Sequence, residues 1–491
     1  MKRKSCEIVI LGAGFAGSLQ AIIARKLGRD VLLLERGRHP RFAIGESSTP
    51  LANFKLAQLA DTYDLSWLKP LTKYGPWKRT YPEVTCGLKR GFSFFSHRPE
   101  KPFQPSETHE TELLVAANPD AERGDTHWFR QEFDAFLVHQ AVASGVQYVD
   151  QCNVASIEHD GQWRLSATAD DGPLQVDASF VIDATGGAGP LAAALGLKDE
   201  TDALRTSSRA VFGHFENVAC WSQLLDECGA RTQDHSFPCD SGALHHIIEG
   251  GWMWVLRFDN GITSAGFSLD PRRYPVDGSR SGEDEWTTLV GRYPSIQSQF
   301  VGARLVGPMV RTGRIQRKLS TAAGMAWAAL PHSAAFIDPW LSPGIAHSLF
   351  GVERLSCILG EAWSSPDRAD RLSRYSRSTL RELEIIDTIT AACFARFDCF
   401  PVLVALTMLY FAAVTFAETR YRTAGTNSSD EFLLAHDKRF TSVVHELTGT
   451  ALRIKPADAE AFARRVAEKI APYNLVGLCN SARHNMYWFN S

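Results

Sequence analysis

The sequence predicts an α/β fold: a Rossmann-type nucleotide domain, interrupted by a β-rich insertion and followed by a helical C-terminal region. Three observations carry that prediction. An apolar strand, a glycine turn and a helix follow one another directly over residues 6–27. Apolar strands of the same kind recur far along the chain, around 180 and around 328. Between them, residues from about 206 to 315 have strand-like patterning with hairpin signals such as Asp259-Asn260-Gly261, whereas 367–473 is mostly helical in spacing.

Cys6–Leu11 reads Cys-Glu-Ile-Val-Ile-Leu, an apolar run suited to a strand buried on both faces. Gly12-Ala13-Gly14-Phe15-Ala16-Gly17 follows, then Leu19, Ile22, Ile23 and Leu27 at helical spacing, then Val31–Leu34, ending on Glu35-Arg36. Gly12 permits the tight turn, Gly14 lets a pyrophosphate approach the backbone, and Gly17 lets helix and strand pack closely. The helix N-terminus offers unpaired N–H groups to phosphate. Glu35 stands where a carboxylate takes ribose hydroxyls, and Ala16 and Arg36 adjoin these contacts. Gly186-Gly187-Ala188-Gly189 has no such unit around it and reads as a turn at a strand end. One complete site on a sheet of widely scattered strands suits an extended cofactor touched by distant segments, FAD rather than NAD.

The remaining elements follow in order. Arg36–Phe42 is a turn-rich loop leading to Ile44–Pro50, where Thr49-Pro50 opens a helix. Residues 61–105 are irregular and aromatic-rich, except for Cys86–Phe95, a strand carrying the basic pair Lys89-Arg90. A helix starts at Trp128–Asp134, short strands fill 146–178, and Ser179–Asp183 is a second buried strand. Trp252 and Trp254, at alternate positions of a strand, share one face. His245 and His246 are adjacent, point to opposite faces, and read as core or surface histidines. Gly344–Leu359 is helical. The implied domains are 1–205 with 316–365 for FAD, 206–315 for substrate, and 366–491 as helices over the substrate chamber.

A net charge of -3 and 44% hydrophobic residues in 491 give no support to a general polyanion binder, so no nucleic-acid partner is expected. Ten cysteines without a C-x-x-C pair point to reduced thiols and a cytoplasmic location, with no metal site. The basic start Met1–Lys4 runs into the nucleotide strand and is not read as a cleaved signal. Cys399–Ala417 is uncharged and borderline for a membrane span. Pro401, Thr407, Tyr410 and Thr415 dilute it, and a buried helix without stable membrane insertion is expected.

With these residues in hand, the chain resembles the flavin-dependent halogenases over residues 6–360, within the FAD monooxygenase/geranylgeranyl-reductase-like superfamily whose FAD domain is of the p-hydroxybenzoate-hydroxylase type. The phenol-halogenase branch is the nearest likeness. The resemblance rests on the glycine fingerprint with Glu35 and on Pro40-Arg41-Phe42-x-Ile44-Gly45-Glu46-Ser47-x-Thr49-Pro50. It rests also on Cys86-Gly87-x-Lys89-x-Gly91-Phe92-Ser93-Phe94 and Phe336-x-x-Pro339-x-x-Ser342-x-Gly344. It implies cofactor contacts at Gly45, Ser47, Ser48, Thr49, Arg130, Asp183, Gly186, Asp338 and Gly344. It places halide beside the flavin at Pro339, Ser342, Pro343 and Gly344, and substrate near Trp252, Trp254, Phe94 and Tyr410, with no metal.

The implied chemistry begins with FAD reduced by a separate flavin reductase. Oxygen then gives a C4a-hydroperoxide, and chloride or bromide takes its distal oxygen as hypohalous acid. Lys89 hydrogen-bonds that acid, or carries it as a haloamine, beside a phenol-like aromatic that is free or held on a carrier protein. Three departures stand out. Pro343 lacks an N–H where the family supplies a halide donor, Arg257 replaces a proline after the tryptophan pair, and His332 stands where relatives place an aspartate, a role Asp338 would take over. Two other readings remain open: an aromatic hydroxylase or oxidase without halide, and a prenyl-reductase-like flavoprotein.

Overall fold

The computed structural model describes residues 2–187, 189–424 and 431–489. Ala188 of the Gly186–Gly189 turn lies outside the described residues. Two eight-stranded sheets organise the chain.

The first sheet runs Ala323–Gly324, Trp327–Ala329, Gly172–Asp183, Lys2–Leu11, Val31–Leu34, Gln147–Val149, with Asn153–His159 and Trp163–Ala169 added as a meander. Its central pairs are parallel, and register brings Leu11 beside both Leu34 and Asp183, and Asp183 beside Ala329. Four strand ends therefore converge at one edge, where open α/β sheets hold their ligands. The parallel strands are apolar on both faces because helices cover them; Ile8–Ile10 and Val31–Leu33 are fully buried. Gly172–Asp183 is one continuous strand where the sequence suggests two. Its first half pairs with Trp163–Ala169 and its end with Trp327–Ala329, so both halves find partners.

The second sheet runs Arg304–Arg314, Arg209–Glu216, Thr263–Leu269, Gly251–Arg257, Ala243–Ile248, Gly91–Ser96, Glu112–Ala116, Met486–Tyr487. It is wider than 206–315, since residues 91–116 and the C-terminal 486–487 extend it. The segment Cys86–Phe95 is two strands in two sheets. The break falls at Arg90, whose N–H donates to Ser241 O at 2.6 Å and whose guanidinium donates to Pro119 O at 2.9 Å. Cys86–Lys89 pairs instead with Asp125–Trp128, Lys89 opposite Asp125. Helices Ser66–Thr72 and Tyr74–Thr80 occupy the stretch expected to be irregular, and Gly282–Gly291 and Pro294–Phe300 interrupt the β-rich region.

The uncharged stretch lies in helix Phe400–Ala424, which packs against Pro50–Thr62, Arg368–Phe394 and Ala459–Ile470. Val402, Leu406, Leu409, Ala412 and Ala413 have essentially no exposure. This apolar helix is interior to the protein, with 72% of its most apolar window buried.

Candidate active site

The glycine turn sits where the four strand ends converge. Gly12 has φ +98°, and a Cβ there would lie 2.5 Å from Ala184 O, so a side chain is excluded both by conformation and by space. Glu35 folds back onto the turn: its carboxylate accepts from the N–H of Ala13 and of Gly37, both at 2.9 Å, and pairs with Arg41 at 3.3 Å. Burial works against the carboxylate's charge, but Arg41 and the two N–H groups outweigh it and hold the pKa below the usual range.

Two arginines converge on Gly14. A Cβ there would lie 3.5 Å from Arg130 and 3.9 Å from Arg41. Arg130 is fixed by two 2.8 Å hydrogen bonds to Asp134 and donates to the carbonyls of Ile44 and Gly45 at 3.0 and 3.1 Å. Gly45, at φ +87°, takes the left-handed turn that presents its carbonyl. At the opposite end of the turn, Asp183 accepts from the N–H and hydroxyl of Thr185 at 2.9 and 2.7 Å, and Gly186 donates to Ser333 Oγ. Arg317 lies over Gly186 and Gly187.

These residues fit a dinucleotide. Arg41 Nε and Arg317 Nε are buried donors without hydrogen-bond partners, beside a glycine turn and the start of helix Phe15–Lys26, whose first N–H groups lack intrahelical acceptors. Arg41, absent from the sequence-derived contacts although it stands in the quoted loop, belongs with them. Arg41→Ala is expected to raise the FAD dissociation constant roughly 10-fold or more, the effect of losing one charge-assisted hydrogen bond. A flavin-fluorescence titration measures it, and an unchanged constant would remove Arg41 from the site.

Several sequence-derived contacts are placed otherwise. Arg36 is exposed. Ser48 is fully buried, its hydroxyl donating to Thr126 O at 2.8 Å and accepting from Asn53 at 3.2 Å, so its side chain serves the loop. Thr49 caps helix Pro50–Thr62 by accepting from Ala52 N. Asp338 does not face the glycine turn and does not replace an aspartate there. Its carboxylate takes Ser208 and Ser268 at 2.6 Å, Trp340 N at 3.0 Å and Trp252 Nε1 at 3.2 Å, linking the second sheet to the turn after it. Burial raises its pKa against these four donors. His332 is neutral, its pKa pulled down to about 4 by burial; its ring lies 3.2 Å from Ala184 O and 3.3 Å from Ser348 Oγ.

Lys89 is fully buried. Its amine donates to Ser47 Oγ at 2.8 Å and Ser48 O at 2.6 Å, and lies 3.9 Å over the Phe92 ring. The loop reaches it because Ser48 N donates to Thr126 O and Trp128 N to Glu46 O, tying the loop by an antiparallel bridge at Ser47–His127 to strand Asp125–Trp128, the partner of Cys86–Lys89. Burial draws the Lys89 pKa down to about 7, with Asp125 opposing. Asp125 does not touch the amine; Asn53, Asn118 and Lys73 hold its oxygens at 2.7, 2.9 and 3.2 Å. His127 and His245 are each pushed down to about 3 by burial, with the nearby Lys89 charge adding to it.

Beyond Lys89 lies a cluster of packed aromatic rings. Phe94 stacks on His245 at 4.5 Å and meets Trp340 at 5.5 Å; Trp252 meets Trp340 at 5.2 Å and Trp254 at 5.7 Å. The C-terminal region supplies Phe397, in the turn between helices Arg368–Phe394 and Phe400–Ala424, against Trp340 at 5.2 Å, and Phe411, on the second of them, against Phe92 at 5.1 Å. Phe411, rather than Tyr410, makes that contact; Tyr410 is buried behind it. Arg257 points out of this cluster, donating to Asp240 Oδ1 and Val218 O, both at 3.1 Å, and clamping a neighbouring loop.

The Pro339–Gly344 turn carries two consecutive non-glycine residues in left-handed conformation, Leu341 at φ 62° and Ser342 at φ 57°, a strained backbone of the kind found at functional sites. It delivers the start of helix Pro343–Glu361, whose Ser342 makes no side-chain cap. A Cβ on Gly344 would meet nothing within 4 Å, so the helix start borders open space on that side.

Residues 126–395 match the family profile described as tryptophan halogenase. Tetracycline 7-halogenase of Kitasatospora aureofaciens is 30% identical over 433 residues, 86% of this chain and 76% of that protein. The monodechloroaminopyrrolnitrin halogenase PrnC of Pseudomonas fluorescens is 30% identical over 401 residues, 80% of this chain and 68% of that protein. The crystal structure of halogenase PltM in complex with phloroglucinol and FAD superposes with a TM-score of 0.88 at 23% identity, covering 98% of this chain and 99% of the other. Sequence likeness of that extent, on a fold shared from end to end, makes this chain a member of the flavin-dependent halogenase family, FAD-dependent oxidoreductases that halogenate aromatic compounds.

Proposed function

We propose that this chain halogenates a small, electron-rich, phenol-like aromatic, using chloride or bromide and FAD reduced by a separate flavin reductase, with Lys89 as the residue that presents the halogen. The supporting observation is the position of the Lys89 amine, sealed from solvent between the Gly45–Pro50 loop and the Phe92 ring. Gly12, Gly14, Gly17, Glu35, Arg41 and Arg130 would hold the FAD, which when bound in reduced form would activate oxygen, the oxidant that turns halide into an electrophile. The protein's own part is positional. The buried aromatic rings keep water from competing for that electrophile. With a pKa near 7, Lys89 is partly neutral at neutral pH, able to accept halogen as an amine or to hydrogen-bond it as an ammonium.

Arg257, a departure from the family pattern, is accounted for by its loop contacts and so lends no support to a hydroxylase without halide. The deciding assay supplies reduced FAD, oxygen and bromide with a panel of phenols that includes phloroglucinol, the compound held by PltM. Brominated product is expected; hydroxylated product with no bromide dependence would overturn the proposal. A pyrrole presented on a carrier protein, the substrate named for a 24% identical brominase of Pseudoalteromonas luteoviolacea, is the second substrate class to include.

Halide binding carries its own expectation. Pro343 occupies the first position of its helix, leaving the N–H groups of Gly344 and Ile345 as the first-turn donors. Pro343→Ser returns one donor, so half-saturation by bromide should fall about 10-fold, the effect of roughly 1.5 kcal/mol from a hydrogen bond to a charged group. Steady-state rates against bromide concentration read this directly, and an unchanged half-saturation would place the halide elsewhere.

A further inference from the structure

We propose that His109, Glu112 and His235 bind a divalent transition-metal ion of zinc-like preference at the outer edge of the second sheet, a site separate from the halogenation machinery. All three side chains are buried, and their potential ligand atoms lie within 4.8 Å of one another, the one such group among the described residues.

The cluster is built as a ligand set rather than as a closed hydrogen-bond network. Glu112 opens the strand Glu112–Ala116; its Oε2 lies 2.9 Å from His235 Nε2, but its Oε1 has no hydrogen-bond partner. His109 Nδ1 faces that oxygen at 3.8 Å and is also without a partner. Two buried polar atoms thus stand unsatisfied across a small gap, an arrangement costing on the order of 1–3 kcal/mol for each atom unless something fills it. A cation removes both deficits and neutralises the buried carboxylate.

The ring on the far side of His109 is tied as metal-bound histidines are. Its Nε2 lies 3.4 Å from Asp234 Oδ2, which in turn pairs with Arg231 at 2.8 Å. A carboxylate behind the ring fixes the tautomer that leaves Nδ1 free to ligate. The backbone is fixed too: His109 is held at φ 54°, and Asn485 donates to its carbonyl at 3.0 Å. Zinc bonds of about 2.0–2.1 Å in tetrahedral geometry put donors about 3.3 Å apart, so side-chain shifts of about an ångström suffice. Two imidazoles and one carboxylate suit zinc and its neighbours rather than magnesium or calcium, which prefer oxygen. A groove of about 430 Å³ bordered by Arg90, Thr232, His235 and Trp488 opens onto His235 and gives the ion a route in.

The ion's effect would be to staple. It would join the loop before Glu112–Ala116 to the turn at Thr232–Asp234 and, through Asn485, to the C-terminal strand Met486–Tyr487. His235 packs 6.3 Å from Phe95, on the face of strand Gly91–Ser96 opposite Phe92 and Phe94. The site therefore braces the back of the strand whose front faces Lys89, without touching the aromatic cluster.

The test uses the full-length chain after treatment with a chelator. Titration calorimetry with zinc chloride should show one equivalent binding at micromolar concentration or tighter, cobalt(II) should give ligand-field absorption, and zinc should raise the urea midpoint. His235→Ala should weaken zinc by more than about 100-fold and Asp234→Asn by about 10–100-fold, with FAD affinity unchanged in both. Glu112→Gln keeps the size of the side chain and should also abolish the cobalt spectrum. Wild-type protein that takes up no equivalent of zinc, or variants that bind it as tightly as wild type, would overturn the proposal.

Discussion

Lys89→Met is expected to lower halogenation by roughly 10²–10⁴-fold while FAD still binds and reduced flavin is still oxidised by oxygen. The two activities separate because Lys89 is absent from the glycine turn. Its amine reaches the Gly45–Pro50 loop through Ser47 Oγ and Ser48 O, and the Ser48 loop keeps its own bonds to Thr126 and Asn53. Methionine matches the length of the lysine stem and fills the slot beside Phe92 without a cavity. The same variant should be more stable than wild type in acid. Below about pH 7 both folded and unfolded chains bear the Lys89 proton, and the folded chain suffers the full penalty of a buried ammonium. As pH rises from 7 towards 10.5 the folded chain releases that proton while the unfolded chain keeps it, and the penalty fades. Methionine removes the penalty, a gain on the order of 2–3 kcal/mol at about pH 6 after allowing for the two lost hydrogen bonds, shrinking towards zero by about pH 10. Urea unfolding at the two pH values measures it. Retained halogenation would end the assignment of Lys89. A stability difference that does not change with pH would show that its amine is not desolvated.

How far this site was legible follows from which interactions are local. The strand–glycine–helix unit of residues 6–34 is specified by neighbours in sequence, so each glycine could be given its task directly. The inward turn of Lys89 was half legible: apolar Leu88, Phe92 and Phe94 indicated that Lys89 or Arg90 is buried. What the pattern could not carry was the break at Arg90, because it depends on Ser241, Asn118 and Pro119, none of them close in sequence. That break makes the site, since it lets Lys89 belong to the small sheet by the flavin loop while Phe92 and Phe94 belong to the second sheet. Asp338 was misread for a related reason. A lone acid beside Pro339 resembles a cofactor ligand until its four donors arrive from two strands, the residue just before a third, and a turn. Arg41 was missed although the spacing Glu35–Arg41 offered a signal, a cation one short loop beyond the acid it pairs with. Phe411 comes from a helix whose register against the sheet no periodicity encodes, since it is apolar around most of its circumference, and Phe397 comes from the turn at 395–398 just before it.

The second large effect concerns Gly17. Gly17→Ala is expected to abolish FAD retention and to destabilise the nucleotide domain by about 3 kcal/mol or more. Its backbone is ordinary helix, so no conformational freedom is at stake and the argument is one of space alone. An added Cβ would lie 2.1 Å from Gly12 O and 3.0 Å from Ala184 Cβ. The first neighbour is backbone at the tip of strand Lys2–Leu11, whose register is fixed on both sides by Val31–Leu34 and Gly172–Asp183, and it cannot yield. Helix Phe15–Lys26 would have to move off the sheet, and its buried face of Leu19, Ile22 and Ile23 would lose packing, with costs at or beyond the usual 1–3 kcal/mol of overpacking. The displacement also carries the helix N-terminus away from the turn, removing the N–H groups aimed at the phosphates. Gly14→Ala is the control. Its Cβ would meet only the tips of Arg130, Asp134 and Arg41, at 3.5–3.9 Å, so the protein without FAD should keep its stability while FAD binding weakens. Purified Gly17→Ala that remains yellow, with an unfolding midpoint equal to that of Gly14→Ala, would show that the helix can slide at little cost and that close helix–strand packing is not what Gly17 secures.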